Sequence, residues 1–73
     1  MGFSFKPLWK LLIDKDMTKK HLMSVTGISK STIDKMGRGE YISLRILGRI
    51  CDELECNIED IIAYQREEVR NVL

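Results

Sequence analysis

The segment from Thr18 to Met36 constrains this chain more than any other stretch, because it holds two helix caps around one glycine. The Thr18 hydroxyl can cap a helix running to about Thr26, and the Ser29 hydroxyl can cap another over Lys30 to Met36. Gly27 ends the first of them, since a residue leaving a helix in the left-handed conformation is cheapest as Gly. Ile28 then plugs a core. Leu22, with Val25 or Met23, faces inward from the first helix, and Ile33 and Met36 face inward from the second. Two short helices joined this tightly must cross at a steep angle, which leaves one face of Lys30 to Lys35 pointing outward.

The rest of the chain reads as helix around that pair. Pro7 suits the first turn of a helix, and Phe5, Leu8, Trp9 and Leu12 follow at helical spacing to about Lys15. After the break at Gly37 and Gly39, Ser43 caps a fourth helix with Leu47, Ile50, Cys51 and Leu54 at i, i+3, i+4 and i+7. Asn57 caps a fifth, whose first turn carries Glu59 and Asp60 and whose Ile58, Ile61 and Ile62 pack inward. No strand pattern holds for long. The expectation is an all-α domain of five helices occupying residues 1–73, with its core at about residues 7–62 and a helical C-terminal extension at 64–73. With 73 residues there is room for one domain.

Several function classes fall to the inventory. One His and two Cys give no nucleophile, base and orienter set, so an enzyme is not expected and no cofactor or metal is implied. Cys51 and Cys56 are five residues apart, which is no zinc pattern; they read as reduced thiols packing as small hydrophobes. Apolar runs such as Leu11-Leu12-Ile13 are far below the roughly 20 residues of a membrane span. The start Gly2-Phe3-Ser4-Phe5-Lys6 has Lys where a myristoylation signal needs Ser or Thr, so the expected location is the cytoplasm. A closed cavity for a small-molecule ligand is not expected in a core of this size.

Net charge is only +1 but unevenly spread. Residues 1–38 hold eight Lys or Arg against three acids, for +5, and residues 39–73 hold four against eight, for −4. A polyanion suits the first half, although solvated lysines on a helix face would look the same.

Cap, helix, glycine turn, cap and helix in that order is the layout of a helix-turn-helix. The run Met17-Thr18-Lys19-Lys20-His21-Leu22, Thr26-Gly27-Ile28-Ser29, Thr32-Ile33, Gly39, Ser43-Leu44, Leu47, Ile50-Cys51, Leu54-Glu55-Cys56 and Ile61-Ile62 resembles the Cro/C1, phage-repressor type of transcriptional regulator. Lys19 and Met23 depart from its pattern, which often has Gln and prefers Ala at these places. The resemblance covers about residues 7–62. It implies a five-helix DNA-binding domain whose third helix enters the major groove of double-stranded DNA, usually as a homodimer on a palindromic operator.

On that footing, Ser31, Asp34 and Lys35 point most directly outward from the third helix, with Lys30 and Thr32 on its flanks, and these five are the base-contact candidates. Thr18, Lys19, Lys20 and Ser29 lie at helix N-termini, where phosphate is favoured, and Arg38 and Arg45 are further phosphate candidates. Two lysines in a first turn are a local electrostatic misfit that a phosphate would relieve. Trp9 and Phe5 share the apolar stripe of the first helix and read as core rather than as base-stacking groups. His21 reads as solvated or phosphate-touching, and Gly37 and Gly39 as helix-ending positions without a contact role. The self-association surface falls to residues 55–73, where Ile62, Val69, Val72 and Leu73 are apolar and Arg66, Glu67, Glu68 and Arg70 can pair across a two-fold axis. The competing reading is a protein-interaction module, antitoxin-like or adaptor, on the same scaffold; only the basic third-helix face separates the two.

Overall fold

The structure is a computed structural model that describes residues 2–66. The order is β1 (Gly2–Ser4), α1 (Lys6–Asp14), α2 (Lys19–Thr26), α3 (Lys30–Gly37), α4 (Leu44–Leu54), a single 3₁₀ turn (Ile58–Asp60) and β2 (Ala63–Gln65). Four α-helices are therefore present among these residues where five were expected, together with a hairpin-like pair of strands.

Three of the four helices start where the sequence offers a side-chain cap. Thr18 accepts from the His21 N–H, Ser29 from the Thr32 N–H and Ser43 from the Ile46 N–H. Gly27 leaves α2 with φ +74, the left-handed stop that glycine makes cheaply. Phe5 is the N-cap of α1 rather than part of it, and its side chain is buried all the same. Leu8, Leu12, Leu22, Ile28, Ile33, Met36, Leu47, Ile50 and Leu54 join it in one core, as the helical spacings require. Burying each such side chain stabilises the fold by about 1.5–3 kcal/mol. On α2 the inward partner of Leu22 is Met23, half-buried; Val25 is exposed.

The expected fifth helix is a single turn, begun by a cap and ended where Ile61 is drawn into the core. Asn57 caps it, and Asp60 reaches back to accept the Asn57 N–H at 2.9 Å, closing a reciprocal box only three residues long. Ile61 then drops fully into the core and the chain extends. Ala63 to Gln65 pair antiparallel with Gly2 to Ser4, in the register Gly2 with Gln65, Phe3 with Tyr64 and Ser4 with Ala63. Residues 64 and 65 are thus strand, not the helical extension read from the sequence. The expectations for Glu67, Glu68, Val69, Arg70, Val72 and Leu73 lie outside the described residues.

Cys51 and Cys56 are free and half-buried at the edge of the core rather than fully enclosed. The Cys56 thiol is pushed up to about 11, first by burial and then by the neighbouring Cys51. Among the described residues, no helix is long and apolar enough to cross a membrane.

Candidate nucleic-acid interface

The turn between α2 and α3 is fastened from three directions. Thr26 is buried, and its hydroxyl donates to the Leu22 carbonyl at 2.6 Å while accepting the Ile28 N–H at 3.3 Å. Arg49, from α4, donates to the Thr26 carbonyl at 3.1 Å and so caps the C-terminal end of α2. A helix end whose carbonyls are met in this way holds its angle. The sequence marked Thr26 only as the end of a helix and did not single out Arg49, because a hydroxyl inside a helix and an arginine 23 residues away give no local pattern for these bonds.

With that angle fixed, α2 and α3 enclose a cleft. Lys19, Lys20 and Met23 border it from α2, and Lys30, Ile33, Asp34, Gly37 and Arg38 border it from α3 and its end. Met23 and Ile33 make the cleft apolar inside, whereas four cations and one carboxylate stand around it. Five of the expected contact residues, Lys19, Lys20, Lys30, Asp34 and Arg38, are brought together here. Lys19 also lies 4.4 Å from the centroid of the half-buried Trp9 ring, a cation–π contact that steadies its ammonium beside α1.

Asp34 turns to the α2 side, where it meets Lys30 at 3.3 Å in an i,i+4 pair. Both side chains are well exposed, so the pair contributes at most about 0.5 kcal/mol and yields readily to a stronger anion. Arg38 donates to Glu40 at 2.6 Å. The hydrogen bond to Glu40 and then its charge raise the Arg38 guanidinium above its ordinary value, so it stays a cation throughout.

The other flank of α3 carries Lys35, which borders a shallow hollow with Gly2, Gly39, Glu40 and Tyr41. Ser31 is exposed. Thr32 is half-buried, and its hydroxyl takes a hydrogen bond from the Ser29 hydroxyl at 3.2 Å, so these two side chains serve the N-terminal end of α3 itself. Thr18 likewise caps α2 at 3.0 Å. Each cap takes one first-turn N–H and leaves the others open to an anion; Thr18 keeps its hydroxyl hydrogen, whereas that of Ser29 is given to Thr32. Arg45 is exposed in the first turn of α4 and borders neither hollow, so the structure does not gather it with the rest. His21 is exposed on α2.

A small α-helical domain with a capped helix, a left-handed glycine turn and a second capped helix lined by cations defines a class of DNA-binding domain. A family model of the Cro/C1-type HTH DNA-binding domain matches residues 7–67, and the chain belongs to that family. The crystal structure of transcriptional regulator VanUg, Form II, is similar to it at a TM-score of 0.86 and 47% sequence identity, over 90% of this chain and 88% of that one. No curated protein sequence matches.

Proposed function

We propose that this chain is a sequence-specific, double-stranded DNA-binding transcriptional regulator that lays α3 in the major groove of a palindromic operator. The observation that carries the proposal is the division of cations about α3. Lys19, Lys20 and Arg38 surround the cleft on one flank and Lys35 stands on the other, with Ser31 exposed between. On this reading Lys30, Ser31, Thr32, Asp34 and Lys35 meet base edges, Lys and hydroxyl groups at guanine and Asp at cytosine. Thr18, Lys19, Lys20, Ser29 and Arg38 meet phosphates, and Arg45 reaches a more distant one. The name of the VanUg structure supports the regulatory part of the reading. Residues 1–73 act as one domain, non-enzymatic and cytoplasmic, where its DNA target lies.

A single reading helix covers too few base pairs to select a site in a genome, so the protein acts as a two-fold homodimer on half-sites about 34 Å apart. Apolar surface in the second half supports this. Leu44 and Ile58 are exposed around a cleft that Ile62 and Leu47 also border. The same cleft favours, as a second reading, a module that holds a different protein partner.

Recovery of bound sites from a random duplex pool tests the proposal. The expected outcome is an enriched palindrome with half-sites one helical turn apart. A pool without enrichment overturns the reading and leaves the protein-interaction module.

A further inference from the structure

The pair of strands plays no part in the reading of α2 and α3, yet it lies against the C-terminal end of α3. Gly39, just past that helix, has φ +73, and a Cβ there would stand 3.0 Å from the Phe3 carbonyl oxygen. The loop after α3 and β1 therefore approach as closely as glycine allows. Phe3 holds the approach from both sides, edge-on to Tyr41 with centroids 6.2 Å apart and edge-on to Tyr64 at 5.2 Å. The pair with Tyr64 ties the two strands to each other, and the pair with Tyr41, itself largely exposed, adds to the close approach at Gly39.

That approach concentrates positive charge. On one side of the hairpin, Lys6 and Gln65 share a hollow with Gly37 and Arg38, the two residues that also border the α2–α3 cleft. On its other side Gly2 and Tyr41 share a hollow with Lys35. Arg66 follows Gln65 directly and is exposed. Among the described residues Glu40 is the carboxylate in this neighbourhood, and Arg38 takes it; Glu67 and Glu68, which follow Arg66 in the sequence, lie outside the described residues. Lys6, Lys35 and Arg66 have no ion-pair partner among the described residues. Tyr41 is 84% exposed, with a hydroxyl that can donate. Cations are thus found from the cleft past the end of α3 to the strands: Arg38 and Lys6 share one hollow, Lys35 borders the other, and Arg66 follows β2.

We propose that the β1–β2 hairpin is a second DNA-contacting element, a wing that grips the backbone phosphates flanking the base pairs read by α3. Lys6 and Arg66 supply point charges, and the Tyr41 hydroxyl supplies a hydrogen bond. Phe3 and Gly39 are positioning residues that hold the wing in place. The inference rests on the DNA-binding reading above and extends it beyond the helix-turn-helix.

The test uses the duplex recovered from the random pool, in versions with ordinary or neutral methylphosphonate linkages at the flanks of each half-site. The full chain is compared with Lys6→Ala, Arg66→Ala, their double variant and Tyr41→Phe. Each charge removal should lower the slope of log affinity against log salt by about 0.9 and leave the base preference unchanged. Neutral flanking linkages should weaken the parent and leave the double variant nearly unaffected. Tyr41→Phe keeps the ring against Phe3 and should lose affinity without a change of slope. A parent that binds with a steep slope, while the double variant matches it in slope and in flank sensitivity, overturns the wing and leaves the α3 reading standing. A parent that does not bind the duplex overturns both.

Discussion

Replacing Thr26 by Val isolates the hydrogen bonds that fasten the turn between α2 and α3. Thr26 and Ile28 are both nearly inaccessible, at 4% and 6% exposure. The Ile28 N–H finds its acceptor in the Thr26 hydroxyl, and valine fills the same space without offering one. A stranded buried N–H costs about 1–3 kcal/mol, and the hydroxyl's own bond to the Leu22 carbonyl at 2.6 Å is lost as well. Burying a methyl in place of a hydroxyl returns part of this, for a net loss of about 2 kcal/mol. Domains of this size are stable by only about 0.05–0.15 kcal/mol per residue, so the loss is a large fraction of the total. At about 4–8 °C per kcal/mol, the thermal midpoint should fall by about 8–16 °C. Circular-dichroism melting and urea titration measure it, with an unchanged urea slope showing that the unfolded state is the same. Thr26→Ser keeps the hydroxyl and drops a methyl, for about 1 kcal/mol. If valine matched the parent within about 0.5 kcal/mol, or serine cost more than valine, hydrogen bonding would not be what holds this turn.

Other outcomes follow from the same geometry. Lys35→Ala should cost about 1–3 kcal/mol on the preferred duplex and relax preference at particular base pairs, whereas Lys19→Ala should weaken all sequences alike; binding to a panel of single-base variants separates the two. The Cys56 thiol, raised from an ordinary 9.0 to about 11, keeps its proton longer in the folded state than in the unfolded one. Its stabilising contribution is therefore complete below about pH 9 and lost as pH rises through about 11. Iodoacetamide labelling of the native protein should stay slow until that upper range, and rapid labelling of Cys56 at pH 8 would contradict the assignment. Sedimentation should find a dimer that Leu44→Glu and Ile58→Glu dissociate, with the helical circular-dichroism spectrum kept because both side chains are exposed in the single chain; a dimer indifferent to both would move the interface elsewhere.

The helix-turn-helix was legible because its signals are local. Thr18, Gly27 and Ser29 each act within a few residues of themselves, and Leu47, Ile50 and Leu54 share one turn-by-turn stripe. The strands were not legible, because three residues at a time carry no alternation and their pairing joins Phe3 to Tyr64, far apart in the chain. Asn57 and Asp60 were read correctly as a cap with a favourable first turn, yet a cap fixes where a helix begins and not how far it runs; Ile61, drawn into the core, decided that. Among the site residues, the outward side of α3 followed from its periodicity. Asp34 turning toward Lys30 and the cleft, and Tyr41 standing beside Lys35, depended on neighbours that periodicity does not reveal.

The most direct measurement of the central claim is the affinity of the full chain for its selected duplex as salt is raised. The four cations assigned to phosphates, Lys19, Lys20, Arg38 and Arg45, give a slope of log affinity against log salt of about −3.6 per subunit, and Lys6 and Arg66 of the wing bring it to about −5.4. A scrambled duplex should show a similar slope at much weaker affinity. A flat response, or equal affinity for the two duplexes, would contradict a protein that holds phosphates with α2 and reads bases with α3.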